Sequence, residues 1–334
     1  MVKYSIILPV RNGGEYVKEC VNSILTQSLQ DFEFIVLENC STDNTLYFIS
    51  SFNDNRIKIY PADKPLQMEE NWQRVLKVPK KEFMTLIGHD EMLDKDYLYT
   101  MNDLIYRHPQ ASLYHTHFRY IDSAGKEIGK CKPMKEIQKP VEVIHNFFYN
   151  KTDLMGTGFM MRSHDYEDVG GIPLYPNLLF ADMELFIELS RKAYLAVDKQ
   201  ECFSYRRHAG STTSSSSDAR FLQSFDLLIT YLSDLKKNAP LLAPFIERDS
   251  SELLRQYCQT ITHRILRTPK CKRETPPVAD IIDQFRGFGK KMGNDAFEPL
   301  DFKMIQIGKA IDSNSILRSL FLGFKKIFPK PLIE

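Results

Sequence analysis

The chain of 334 residues has no apolar run of about 18 or more, the length a membrane-spanning helix needs. Its N-terminus, "MVKYSIILPVRNGG", is apolar only briefly and breaks at Pro9 and Arg11. That run is too short for a signal peptide, so a cytoplasmic protein is the expectation. Cysteine is sparse and unpatterned. Cys20, Cys40, Cys131, Cys202, Cys258 and Cys271 form no C-x-x-C pair and no zinc-type spacing, so free thiols in a reducing compartment are expected rather than a disulfide framework. An excess of one charge is missing too: 44 Lys and Arg meet 43 Asp and Glu, for a net charge of +1. This argues against bulk nucleic-acid binding. No internal repeat is visible.

What is present is alternation. "YSIILPV" (4–10) is a continuous apolar run, as expected of a strand covered on both faces. The segment after it carries Tyr16, Val17, Cys20, Val21, Ile24 and Leu25 at helical spacing. "FEFIVLEN" (32–39) is the next strand, and "STDNTLYFISSF" reads as a helix capped by Ser41 or Asp43. "RIKIYPA" (56–62), a helix around Trp72 to Val78, and "EFMTLIG" (82–88) repeat the cycle. Strand–helix alternation predicts a mostly parallel α/β sheet flanked by helices, with the ligand site at the C-terminal ends of the strands. From 111 to 215 short strands mix with helices near 141–150 and 182–193. "STTSSSSD" (211–218) is a small-polar linker, and beyond it the pattern is helical, including 219–237, 251–267 and 278–286. The expected organisation is a domain over 1–215, split into halves 1–110 and 111–215, followed by a helical region over 216–334.

"TLIGHDEMLDKDYL" (85–98) poses the sharpest question in the sequence. A buried strand stops at Gly88 and is followed at once by His89, Asp90 and Glu91. A strand end has no use for two adjacent acids that repel each other, unless a cation relieves the repulsion or a helix N-terminus stabilises them.

Several motifs in order resemble the family-2 glycosyltransferases of GT-A fold. They are "YSIILPVRNGGEYVKECVNSILTQSLQDFEFIVLENCSTDNT", "TLIGHDEML", "GTGFMMRSHDYEDVGGIPLYPNLLFADMEL" and "YRRHAGSTT". The resemblance covers residues 4 to about 215 and implies a GT-A fold and a nucleotide-sugar donor. In that family the loop after the first strand, here Pro9, Val10, Arg11 and Asn12, and an acid after the second strand, here Glu38, embrace the nucleoside. A carboxylate at Glu38 can accept from a uracil N3–H or a ribose hydroxyl, which favours a UDP-sugar. Asn71 sits where the family contacts the nucleotide with an Arg-Asn pair, although Glu70 replaces the Arg.

The resemblance also implies that His89 and Asp90 lie at the diphosphate, with Asp90 and His208 holding Mn²⁺ or Mg²⁺. The family's first metal-motif Asp is Gly88 here. Arg206 and Arg207 are candidates for phosphate contact. The family's general base corresponds to Asp182 at a helix start. On a helical wheel Asp182 shares a stripe with Leu185, Phe186 and Leu189, whereas Glu184, Glu188 and Arg191 point away. A helix N-terminus is expected to keep Asp182 ionised.

The implied activity is inverting sugar transfer to a glycan or lipid-linked acceptor in bacterial surface polysaccharide synthesis. The competing reading is a catalytically inactive GT-A domain used for nucleotide-sugar binding or scaffolding. At the C-terminus, Ile316, Leu317, Leu320, Phe321, Phe324, Ile327 and Phe328 fall on one helical face, and Arg318, Ser319, Lys325 and Lys326 on the other. Residues 313–328 therefore read as a peripheral membrane contact, or as a helix packed on the domain with its basic face in water.

Overall fold

Ten strands, counted among the described residues, join in one mixed sheet. They are β1 (Tyr4–Val10), β2 (Phe32–Glu38), β3 (Ile57–Pro61), β4 (Phe83–Leu86), β5 (Met92–Leu93), β6 (Leu113–Ile121), β7 (Glu127–Lys130), β8 (Ile137–Gln138), β9 (Met160–Arg162) and β10 (Leu195–Arg206). This computed structural model describes residues 3–208, 210, 216–268, 270, 273 and 276–328. The main path runs β3-β2-β1-β4-β9-β6-β10-β5, with β7 on β6 and β8 on β10. Parallel pairing holds across β3-β2-β1-β4 and between β6 and β10. The insertion of β9 between β4 and β6 is antiparallel on both sides, and β5, β7 and β8 are antiparallel additions. The mostly parallel sheet expected from the sequence is parallel in its strand–helix half and in one later pair, β6 with β10, and antiparallel elsewhere.

The first-half helices are α1 (Tyr16–Leu25), α2 (Thr45–Ser50), α3 (Met68–Gln73) and α4 (Tyr97–Arg107). They are followed by α5 (Pro140–Phe148), α6 (Ser163–Asp168) and α7 (Ala181–Lys192). Every residue of β1 is buried, as its unbroken apolar run requires for a central strand. Pro9 is tolerated because it lies past Ile7↔Leu86, the last rung β1 shares with β4, so its missing N–H breaks no ladder. β1, β2 and β4 end side by side, which gathers the loops at 11–15, 39–44 and 87–91 at one edge.

Cα proximity divides the chain into two compact units, residues 1–143 with 151–211 and residues 144–150 with 212–334. The second unit contains α8 (Asp218–Asn238), α9 (Ala243–Arg267), α10 (Val278–Lys291), α11 (Lys303–Ser313) and α12 (Ser315–Ile327). Its core is built from helical stripes such as Phe225, Leu228 and Leu232 of α8, Leu254, Cys258 and Ile261 of α9, and Ile281 and Phe285 of α10. Cys20, Cys40, Cys131, Cys202 and Cys258 are free thiols, and Cys271 lies outside the described residues.

Candidate active site

The first two loops at the sheet edge are laced together by short polar side chains. Asn12 sits in the left-handed region (φ +53°), which Asn tolerates better than most residues. Its backbone N–H donates to Ser41 Oγ (3.0 Å), and its Oδ1 accepts from the Thr42 N–H (2.7 Å). Gly13 N–H donates to Thr45 Oγ1 and Gly14 N–H to Asp43 Oδ2. A Cβ on Gly13 would fall 2.8 Å from Val17 Cβ, so glycine is needed where the loop crosses α1. Of the four loop candidates, Arg11 and Asn12 are exposed. Pro9 and Val10 instead bury their side chains within β1, because the strand continues to its last apolar residue.

Glu38 is turned inward. Only 2% exposed, it accepts from the Cys40 N–H (3.0 Å) and the Ser41 N–H (2.6 Å), one on each carboxylate oxygen. Its carboxylate therefore shapes the loop in which Cys40 adopts φ +51°. Asn71 is likewise buried. It donates to Leu37 O and accepts from Arg74, whose guanidinium also reaches the carbonyls of Glu38, Tyr60 and Pro61. The structure thus gives Asn71 a task in stapling β2 to β3, and the sequence reading did not single out Arg74.

The third loop carries the acids. Asp90 Oδ2 lies 2.8 Å from His208 Nε2, so residues 118 positions apart meet as expected. Glu91 parts from Asp90. It is buried, accepts from Gly88 N–H (2.9 Å) and from Thr157 Oγ1 (2.6 Å), and burial with the nearby Asp90 charge pushes it up to about 8. At neutral pH Glu91 is mainly protonated, which relieves the repulsion between the two acids. Gly88 lets the acids sit close, since a Cβ there would lie 2.9 Å from Asp90 Oδ1 and 3.2 Å from the Glu91 carboxyl and both side chains would have to shift. Burial holds His89 below its usual range, so it is neutral at physiological pH.

Arg206 and Arg207 do not act alike. Arg206 is 1% exposed and donates to the carbonyls of Asp90 (2.8 Å) and Asp122 (3.0 Å) and to Glu19 on α1 (2.5 Å). Its guanidinium lies over the Tyr16 ring, and that ring also meets His208 at 5.2 Å. Arg206 therefore ties the main chain of the acidic loop to α1 and holds no free donor face for phosphate. Arg206→Met strands the buried carbonyls and is expected to lower the unfolding free energy by about 1–3 kcal/mol, measured by urea denaturation; Glu19, half exposed, is left to water. Arg207 places its guanidinium 3.8 Å from the centre of the Tyr120 ring.

Asp182 lies in the first turn of α7, whose inward stripe of Leu185, Phe186 and Leu189 is buried as the wheel predicted. The residue keeps partial exposure, and its Oδ1 accepts from the Met183 N–H (2.9 Å). Crowding by protein nonetheless desolvates the carboxyl and raises it to about 6. Burial outweighs the helix N-terminus, reversing the expected direction. Glu184 also departs from the wheel: it is half-buried and accepts from Tyr175 Oη (2.6 Å), because the 173–180 loop folds over it. That loop holds Asn177, Leu178 and Phe180 at positive φ.

At the end of β10, burial raises the Tyr205 phenol well above the usual value, and the acids Glu91, Asp90 and Asp182 push in the same direction. The acidic loop and the start of α7 are neighbours: Thr157 donates to Glu91, and a Cβ on the adjoining Gly156 would lie 3.8 Å from Asp182 Cβ. Strand alternation could have found Tyr205, since it puts residue 205 on the face opposite Arg206. Among the described residues no group of three or more His, Cys, Asp or Glu forms a metal cage. The Asp90–His208 pair fits a hard divalent cation that takes most of its ligands from phosphate and water. An open cleft of about 870 Å³ elsewhere in this unit, beside β5 and β10, includes Glu19, Asp94 and Glu201 but none of Asp90, His208 or Asp182.

Comparison with known proteins bears on the family and the fold. The family model described as "Glycosyl transferase family 2" matches residues 5–170. The glycosyltransferase GlyG of Streptococcus pneumoniae is 25% identical over 123 residues, covering 36% of this chain and 41% of GlyG. The poly(ribitol-phosphate) beta-N-acetylglucosaminyltransferase TarS of Staphylococcus aureus is 30% identical over 107 residues, covering 29% of this chain and 18% of TarS. The chain thus spans less than half the length of these relatives. The crystal structure of TarS 1–349 in complex with UDP-GlcNAc has a TM-score of 0.62 at 15% identity, covering 92% of this chain and 90% of that one. The mannosyltransferase PcManGT from Pyrobaculum calidifontis, in complex with GDP-Man and Mn²⁺, has a TM-score of 0.52 at 11% identity, covering 97% and 88%. These structural likenesses establish the GT-A fold.

Proposed function

Residues 5–170 belong to glycosyl transferase family 2, and on that premise we propose that the chain transfers a sugar, with inversion, from a UDP-sugar to a hydroxyl of a glycan or lipid-linked acceptor. The setting is bacterial surface polysaccharide synthesis, and a lipid-linked acceptor would bring residues 313–328 to a membrane. The observation that carries this reading is the proximity of the acidic loop to the start of α7: Thr157 donates to Glu91 (2.6 Å), and a Cβ on its neighbour Gly156 would lie 3.8 Å from Asp182 Cβ. Asp90 in that loop pairs with His208, as a diphosphate-cation site requires, and Asp182 stands at a helix start with a carboxyl tuned to about 6.

In this reading the laced loops at 11–14 and 41–45 receive the nucleoside, with Arg11 and Asn12 exposed on the first of them and Glu38 holding the shape of the second. Asp90 and His208 would hold Mg²⁺ or Mn²⁺, which supplies charge neutralisation to the departing diphosphate. His89 and Arg207 flank that position in sequence. Asp182 takes the proton of the acceptor hydroxyl while its oxygen bonds to the anomeric carbon. The bond from that carbon to the diphosphate oxygen breaks with its electron pair leaving on the nucleotide.

Melting in the presence of nucleotides tests the donor class. UDP at ~100 times its dissociation constant is expected to stabilise the fold by roughly 2.7 kcal/mol. A shift with GDP or CMP and none with UDP would overturn the uridine assignment.

A further inference from the structure

The last helix, α12, docks against its own amphipathicity. Arg318 faces the protein: it is 4% exposed, pairs with the Asp312 carboxylate and donates to the carbonyls of Thr268 (2.6 Å) and Ile265 (3.1 Å) at the end of α9. Asp312 also receives Arg273 (2.7 Å) and the Val278 N–H (2.9 Å), so the latch is anchored on three sides. This overturns both the placement of Arg318 on a water-facing stripe and the alternative that the apolar face packs inward. Ile316, Leu317, Leu320, Phe324, Ile327 and Phe328 are all exposed, Ile316 at 71% and Ile327 at 73%. At ~100° per residue they fall within an arc of about 120°.

A contiguous apolar face of this kind marks an interaction surface. It cannot be a transmembrane segment: no helix among the described residues is long and apolar enough to cross a membrane. Residues 313–328 contain no acid. Lys325 and Lys326 close the helix, and the Lys325 ammonium lies within 6 Å of the Phe321 and Phe324 ring centres (5.9 and 5.6 Å), flanking the apolar arc as a snorkelling lysine would. A self-complementary protein face would need acids to meet those lysines, whereas anionic headgroups meet them directly. We propose that the outer face of α12 lies in the interfacial plane of an anionic lipid surface, held there by the Arg318–Asp312 latch.

Vesicle binding is read without donor or acceptor, so its failure and failure of the transferase reading are separate results. The full chain is expected to co-sediment with vesicles containing phosphatidylglycerol and not with phosphatidylcholine alone. Lys325→Gln with Lys326→Gln is expected to weaken binding roughly 25-fold, at about fivefold for each lysine. Leu320→Gln with Phe324→Gln is expected to weaken it at least ~10-fold while melting like the parent, because both side chains are exposed. Should the apolar pair destabilise the fold, the lysine pair decides. Absence of binding by the full chain overturns the inference, as does binding that either pair of substitutions leaves intact. So does a chain that is dimeric without lipid and monomeric in the apolar double variant, since a second copy would then cover the face.

Discussion

Asp182→Asn is expected to lower sugar transfer at least ~100-fold while leaving donor binding unchanged, because general-base assistance contributes about 10²–10⁴-fold. A neutral hydroxyl is a poor nucleophile, and Asn keeps the size of the side chain but cannot take its proton. The desolvated carboxyl at about 6 should give the wild type an acid limb, with transfer rising through about pH 6 as Asp182 ionises. The variant should lose that limb.

Stability moves the opposite way. A carboxyl whose folded-state value lies above its unfolded one binds more protons in the native state. Its favourable contribution is present below about pH 4 and lost as pH rises to about 6. At pH 7 the Asn variant should therefore melt no lower than wild type, an advantage that vanishes near pH 4. Glu188→Gln is the appropriate control, since Glu188 pairs with Arg191 one turn along the same helix. Glu184 is unsuitable because it holds Tyr175. Equal losses from Asp182→Asn and Glu188→Gln would remove Asp182 from the mechanism. No transfer by the wild type to any acceptor would favour the nucleotide-sugar-binding alternative.

The sequence made legible those features that depend on local periodicity. Strand–helix alternation located β1 to β4 and the edge where their loops gather, and the wheel of α7 located its buried stripe. The meeting of Asp90 with His208 was legible only through motif order, since 118 residues separate them. Less legible was the direction in which each polar side chain turns. Glu38 and Asn71 sit at the expected strand edge, yet loop closure and β2–β3 stapling claim their hydrogen bonds. Arg206 and Arg207 are adjacent, yet strand alternation buries the first and lays the second on Tyr120. The Asp182 shift was unreadable for a related reason: the dipole is a local property of a helix start, whereas desolvation depends on residues far away in sequence. The tail shows the same limit. Its amphipathic pattern was plain, but which side faces the protein was decided by Asp312 and Arg273 and by two carbonyls at the end of α9.

Asp90→Ala is expected to weaken nucleotide binding in Mn²⁺ on the order of 100-fold, since losing even an outer-shell partner of a metal ligand costs about 10–100-fold, and to leave binding in excess chelator no weaker than wild type. The asymmetry follows from charge. With a cation bound, the Asp90 carboxylate offsets one of its charges and fixes it beside His208; without one, the same carboxylate repels the diphosphate. Removing it should therefore abolish the dependence on metal and slightly favour metal-free binding. Glu91→Gln separates this from a general effect of charge in the loop. Glu91 is mainly protonated at neutral pH and is occupied by Gly88 and Thr157, so its amide counterpart should retain the Mn²⁺ enhancement. Titration calorimetry of UDP with Mn²⁺ and with chelator measures each arm directly, with no acceptor required. A wild-type protein whose UDP affinity and sugar transfer are the same in both conditions would take the cation out of the site and leave the Asp90–His208 contact a structural hydrogen bond.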